Sequence, residues 1–305
     1  MLLALRRFFG FAESATDEET EDRDWRSRKW VIEPSRLGFM ARVEEIWRYR
    51  RILWFFAQQR VRDRYEGMTL GPFWLLARPL MPILVGTLIF GGLLAVPSDR
   101  IPYFLFFLTG MSCWRIFERS TQWVTRSLEQ ARALIKKVYF PRLIAPIASV
   151  APALTEFLVL FTLLLLSAVF YWYKDGIWYL KWGPGMLAAI LAVILTVFFA
   201  ISVGLFTSVM QVRHRDVRYS IRYLNQFWFY ATPVIYPMSQ IPPKYHFLMY
   251  LNPMAPIVEM YKWGMLGIGE FPAKPLASAL VVMAVVFAAG LVFFNRSEAG
   301  SVDKL

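Results

Sequence analysis

Three stretches of this chain, Gly183 to Val212, Tyr223 to Pro243 and Pro275 to Asn295, contain no Asp, Glu, Lys or Arg. Each is long enough to cross the hydrocarbon core of a bilayer, which takes about 20 residues of helix. A large soluble helical core would present charged faces at the 3.6-residue period, and these runs offer none. With 57% hydrophobic and only 18% charged residues, the 305-residue chain lies far from soluble-domain averages. The expected fold class is an all-α integral membrane protein.

A net charge of +12 raises nucleic acid as a partner, but the distribution argues against it. The basic residues sit in short loops and the N-terminal region beside apolar segments, as the positive-inside rule and anionic headgroups both require. One cysteine, Cys113, lies in an apolar segment, and the two histidines, His214 and His246, are far apart. That inventory gives neither a disulfide framework nor a metal site, and Cys113 is expected to be a small lipid-facing or packing residue. Met1 to Ala12 lacks the order of a cleavable signal peptide, so insertion is expected to rely on internal helices.

Charge and hydropathy divide the chain into four parts. Residues 1–35, acidic from Glu13 to Asp24, are expected to form a flexible tether. Residues 36–71 are expected to form cytoplasmic interface or gate helices. Met40, Val43, Ile46, Trp47, Leu53 and Trp54 recur there at helical spacing, with Arg42, Glu44, Arg48, Arg50 and Arg51 between them, as in an amphipathic helix on a membrane surface. Residues 72–296 form the transmembrane domain, and 297–305 a cytoplasmic tail.

Six spans fit the transmembrane domain. They are Trp74 to Val96, Pro102 to Val124, a segment within Leu143 to Tyr173, another within Gly183 to Gln211, one beginning over Tyr223 to Tyr236, and Leu276 to Phe294. Arg126, Arg132, Lys136, Lys137 and Arg142 crowd one loop, and Arg213, Arg215, Arg218 and Arg222 another, which places both termini on the cytoplasmic side. Tyr236 to Lys274 then falls outside. Its apolar pieces, Phe247 to Leu251 and Ala255 to Tyr261, are expected to be short re-entrant helices, which survive only where protein or a water-filled cavity satisfies their backbone.

Charges inside the membrane are functional candidates, because exposing them to lipid costs several kcal/mol. Arg115, Glu118 and Arg119 share one helix face, so Glu118 can pair with Arg115 while Arg119 is left free or faces Glu156 of the third span. Two readings stand: a structural ion-pair cluster, or a positive stripe along a pathway for an anionic substrate. Trp114, Phe117 and Trp123 flank these charges, and Tyr230 and Tyr236 lie in the fifth span. Such rings pack helices and anchor interfaces, and they also stack on the CH faces of sugars.

Three stretches now carry a family pattern. The first is Arg62-Asp63-Arg64-Tyr65-Glu66-Gly67-Met68-Thr69-Leu70-Gly71-Pro72-Phe73-Trp74, a charged approach to the first span. The second is Leu134-Ile135-Lys136-Lys137-Val138-Tyr139-Phe140-Pro141-Arg142. It closes a short helical run from Ser127 to Val138 that has Leu128, Ala131, Leu134 and Ile135 on one face. The third is Arg215-Asp216-Val217-Arg218-Tyr219, followed by Ala231-Thr232-Pro233-Val234-Ile235-Tyr236-Pro237 and Leu251-Asn252-Pro253-Met254. From Ile46 onward the chain resembles the permease subunit of ABC-2-type polysaccharide and polyol-phosphate exporters.

That resemblance implies a homodimer in the bacterial cytoplasmic (inner) membrane, served by two copies of an ABC nucleotide-binding subunit. It implies a gate where substrate enters at Arg60, Arg62, Asp63, Arg64 and Tyr65. It also implies a coupling segment of Leu134, Ile135, Lys136, Lys137, Tyr139, Phe140, Pro141 and Arg142 that receives the ATPase's motion. The implied substrate is a lipid-linked polysaccharide such as O-antigen, capsule or teichoic acid. No G-x-x-x-x-G-K-[ST] loop occurs in the chain, so ATP and Mg are expected on the partner subunit, with no cofactor here. Two rivals remain: an exporter of drugs or lipids, and a membrane-embedded glycosyl or acyl transferase using Asp63, Asp216 or Glu259.

Overall fold

The computed structural model describes residues 39–66, 71–135 and 140–300, and among these every regular element is helical. The tether at 1–35, the tail at 301–305, Gly67 to Leu70 of the first motif and Lys136 to Tyr139 of the second lie outside the described residues.

The amphipathic region forms two helices, α1 (Phe39–Arg48) and α2 (Arg50–Tyr65), broken at Tyr49. Trp47 and Trp54 are both largely exposed, as interfacial anchors are. Helix α3 (Gly71–Gly86) follows, tolerating Pro79 and Pro82 inside it, and unwinds into a π-helical segment, Thr87–Leu93. There the Leu94 N–H reaches back five residues to the Ile89 carbonyl at 2.8 Å.

Helix α4 (Tyr103–Ile135) departs from the sequence expectation of a span followed by a separate short coupling helix. It runs unbroken for 33 residues, roughly 50 Å at 1.5 Å per residue, well beyond the thickness of a bilayer core. No Pro or Gly interrupts Val124 to Ile135, and the apolar face of that stretch continues the face of the span. The first turns of the expected coupling segment are thus the end of the long helix α4.

The third expected span is a short α5 (Ile144–Ala148) leading into α6 (Ala151–Asp175). Helix α6 ends at Gly176, whose φ of +69° suits glycine and whose N–H bonds the Trp172 carbonyl at 2.9 Å. Then come α7 (Gly185–Arg213), α8 (Val217–Tyr230), α9 (His246–Leu251), α10 (Met254–Leu266) and α11 (Ala273–Gly300). Helix α8 starts earlier than expected, with Arg218 and Arg222 inside it, and stops at Tyr230 rather than Tyr236. Helices occur at both sites expected for short outer pieces, the second extending to Leu266.

Among the described residues, four segments are long and apolar enough to cross a membrane: Phe73–Leu93, Ile144–Asp175, Gly185–Arg213 and Ala273–Arg296. Between 22% and 33% of each is buried within the chain, so most of their apolar surface faces outward, toward lipid or another protein.

Helix α7 organises the core. A stripe of small residues, Ala189, Ala192, Thr196, Ala200, Gly204 and Ser208, lets neighbouring backbones approach closely. A Cβ at Gly204 would overlap the side chain of Val124 on α4. Thr125 and Thr207 share a 2.7 Å hydrogen bond across this contact, and Cys113 packs fully buried with its Sγ 3.3 Å from the Thr196 hydroxyl.

Candidate functional site

The membrane charges gather on Glu156, which is 2% exposed near the start of α6. Arg115 on α4 donates to its Oε1 from Nε at 3.0 Å, with Nη2 2.7 Å away. Arg64 on α2 donates to Oε2 at 3.1 Å, and Arg119 Nε lies 3.5 Å from the same oxygen. Glu118 takes Arg115 Nη1 at 3.2 Å and accepts from Gln122 at 3.3 Å. The guanidinium of Arg64 also sits over the Trp123 ring, 5.6 Å from its centroid.

Three guanidiniums therefore converge on one buried carboxylate, with Glu118 partly balancing them. Burying these groups is tolerable only because each is paired, and the cluster retains an excess of positive charge. It also joins the interfacial helix to the membrane helices. Arg64 comes from a segment 92 residues before Glu156, a meeting that no local periodicity announces.

A second contact zone lies nearer the Leu134 to Arg142 motif. Arg60 on α2 hydrogen-bonds the Gln130 carboxamide oxygen on α4. Phe56 packs on Phe140 with ring centroids 5.1 Å apart. Between α2, α4 and α5 these residues leave a cavity of about 80 Å³, also lined by Asp63, Leu134 and Ala148. Burial pushes the Arg60 guanidinium below its ordinary pKa while Asp63 pulls it back up, and it stays charged. The expected gate residues and part of the expected coupling segment are thus brought together.

The other expected site residues distribute differently. Arg62 faces solvent and pairs with Glu66 at 3.0 Å. The side chains of Tyr65 and Ile135, and all of Lys136, Lys137 and Tyr139, are outside the described residues. Pro141 and Arg142 form the turn into α5, their carbonyls accepting from Ile144 and Ala145 at 3.0 and 3.3 Å.

Trp114 and Phe117 are 2% and 0% exposed, and they interlock with Phe199, Trp228 and Phe229. In this conformation they are packing residues and line no surface of the chain. Tyr230, by contrast, is 55% exposed.

Sequence reasoning missed two polar residues. Gln211, 2% exposed, donates to Glu129 at 3.1 Å and accepts from the Arg218 N–H at 2.8 Å, tying α4, α7 and the start of α8 together. Lys262, 1% exposed on α10, donates to the Pro233 and Val234 carbonyls. Its signal was available: a lone lysine in the otherwise apolar turn from Met260 to Leu266.

Four apolar segments long enough to span a bilayer, with α2 held against α4 and α6 by ion pairs, define a multi-pass membrane protein. The chain belongs to the ABC-2 type transporter family, which it matches over residues 51–266. It is 28% identical to the O-antigen export system permease protein RfbA of Myxococcus xanthus over 259 residues, covering 84% of this chain and 96% of that one. Two Klebsiella pneumoniae proteins of the same description are 26% and 27% identical, covering 77% and 65% of this chain and 88% and 73% of theirs. Those relatives are described as permease proteins of an export system, which does not favour a transferase using Asp63, Asp216 or Glu259.

Proposed function

We propose that this chain is the channel-forming subunit of an exporter that moves a lipid-linked cell-envelope polysaccharide out across the bacterial cytoplasmic membrane. The strongest support is the likeness to O-antigen export permeases, which spans nearly the whole length of the Myxococcus relative. In this reading α4 and α8 join the four long apolar segments to make six spans. Helices α9 and α10 are re-entrant from the outer side, and both termini are cytoplasmic.

Two copies of the chain form the pathway. Two ABC nucleotide-binding subunits, which hold ATP and Mg, push on the segment from Leu134 to Arg142. Because α4 is continuous to Ile135, a push there travels along a rigid rod to the charges around Glu156, and through Arg60 and Gln130 to α2. Arg60, Arg62 and Arg64 are suited to hold the phosphates of a lipid carrier, since guanidinium forks make charge-assisted bonds to phosphate. The exposed ring of Tyr230, with Tyr236 beside it, offers a face for sugar stacking.

The test is purification of the tagged chain from its own membranes in mild detergent, with co-purifying chains identified by mass spectrometry and ATPase activity assayed. A stoichiometric nucleotide-binding subunit, lost on exchanging Lys136→Glu and Lys137→Glu, is the expected result. Retention of that subunit in the double variant would remove the coupling role from this segment, and its absence from the wild type would overturn the exporter.

A further inference from the structure

Helix α8 stops at Tyr230, and the chain runs on to Pro237 without regular structure. Such a stretch at membrane depth must find partners for every peptide group, because lipid supplies none. Each of six successive carbonyls here has one. The Tyr236 hydroxyl donates to the Tyr230 carbonyl at 3.0 Å, and the Asn252 amide to the Ala231 carbonyl at 3.0 Å. The Val234 N–H turns back to the Thr232 carbonyl at 2.7 Å. The Lys262 ammonium donates to the Pro233 and Val234 carbonyls at 2.6 and 3.3 Å, and the Tyr103 hydroxyl donates to the Ile235 carbonyl at 2.7 Å.

Lys262 differs from the other side-chain donors. Neutral amide and hydroxyl groups serve one carbonyl each, whereas the Lys262 amine, in a site that is 1% exposed and under the influence of buried Glu259, serves two. The remaining face of its ammonium lies over the Phe106 ring, 3.8 Å from the centroid. The fold makes room for its stem at Gly110, where a Cβ would stand 2.9 Å from Lys262 Cε and 3.1 Å from the Val234 oxygen. A buried ammonium is costly at this depth, so a site shaped around one points to a task that a neutral side chain would not perform.

We infer that Lys262 is a positioning residue for transport: by clamping the carbonyls of Pro233 and Val234 it fixes the non-helical seam from Ala231 to Pro237, and so sets where the Tyr230 and Tyr236 rings stand. The transport role rests on the exporter reading above, whereas the clamp itself does not. Lys262→Met keeps the stem and removes the donor. Gly110→Ala attacks the same clamp from α4 by crowding the stem.

The experiment combines hydrogen–deuterium exchange of the full chain in detergent with surface glycan on intact cells, read by periodate–hydrazide labelling. In Lys262→Met, exchange of the amides between Ala231 and Tyr236 rises at least tenfold while α4 and α7 stay as in wild type. Surface glycan falls at least tenfold although the ATPase subunit still co-purifies. Gly110→Ala shifts both readouts the same way, and the double variant adds less than the sum of the two. Uniform loosening across α4 and α7 would make Lys262 a general packing residue and overturn the inference. So would an unchanged seam, or full export with a loosened one. Failure of the exporter reading would register separately, as wild-type cells whose surface glycan does not depend on this chain.

Discussion

Two regions of this permease hold buried charge in different ways. On the side of the interfacial helices, three guanidiniums are restrained by Glu156, so charge meets charge. On the side of α10, the Lys262 ammonium donates to neutral carbonyls that a broken helix has left open, with buried Glu259 acting on it as a countercharge without a hydrogen bond between them. The first arrangement ties together α2, α4 and α6, elements distant in sequence, through one carboxylate, and its stability depends on that carboxylate staying ionised. The second spreads six carbonyls over donors from five residues, among which Lys262 alone serves two. The cluster hangs on one carboxylate, whereas the seam has one principal donor with lesser ones around it.

The largest effect should follow from Glu156→Gln. The shape survives, but three buried or half-buried guanidiniums lose their common anion and repel one another. Removing one partner of a buried pair typically costs about 3–5 kcal/mol. Thermal unfolding in detergent should show a clear drop in midpoint, and adding Arg64→Met should restore part of it by removing one of the stranded charges. If Glu156→Gln unfolds at the wild-type temperature, the cluster is not the fastener described here and the contrast between the two regions collapses.

Much of the Glu156 cluster was legible in the sequence, and less of the seam after α8. Arg115, Glu118 and Arg119 share a helix face by simple spacing, and Glu156 is a lone carboxylate in an apolar run, so their meeting could be anticipated. The arrival of Arg64 could not, because it depends on how α2 lies against α6, a tertiary fact without a local period. The continuity of α4 was masked by the basic loop pattern after Arg126, which reads equally as a boundary and as the polar side of a continuing helix. In the seam, Pro233 and Pro237 announce the break after α8. Which side chains then satisfy the freed carbonyls is decided by Asn252 and Lys262 folding back from the next elements, and the sequence between them does not specify that return.

A smaller effect is expected from Asn252→Ala in the seam. Asn252 accepts from the Trp228 indole at 2.7 Å and the Met254 N–H at 3.0 Å, and donates to the Ala231 carbonyl and the Thr232 hydroxyl, both at 3.0 Å. Loss of these bonds should cost roughly 1–3 kcal/mol, since some of the partners keep access to water or to one another. Asn252→Asp sharpens the point. A carboxylate keeps the two acceptor roles and loses the two donor roles, so its unfolding midpoint should fall between wild type and Asn252→Ala. A loss as large as that of Glu156→Gln would mean the seam is as centralised as the arginine cluster.

The smallest effect on stability belongs to Arg62→Ala, and it separates fastening from substrate contact within the same helix. Arg62 lies two residues before Arg64 on α2 but points to solvent, its guanidinium 76% exposed and paired with Glu66 in the i,i+4 arrangement. Exposed pairs of this kind contribute about 0.2–1 kcal/mol at most, screened further by salt. Thermal unfolding should therefore be nearly unchanged in Arg62→Ala, while Arg64→Ala, which withdraws a partner from buried Glu156, lowers the midpoint visibly. Surface glycan then discriminates the roles. If Arg62 meets the phosphates of an incoming lipid carrier, export falls several-fold in a protein of normal stability, a result that a purely structural α2 would not produce. If export is also unchanged, the solvent-facing arginine has no part in admission, and the positive charge that matters to an anionic substrate lies in the cluster around Glu156.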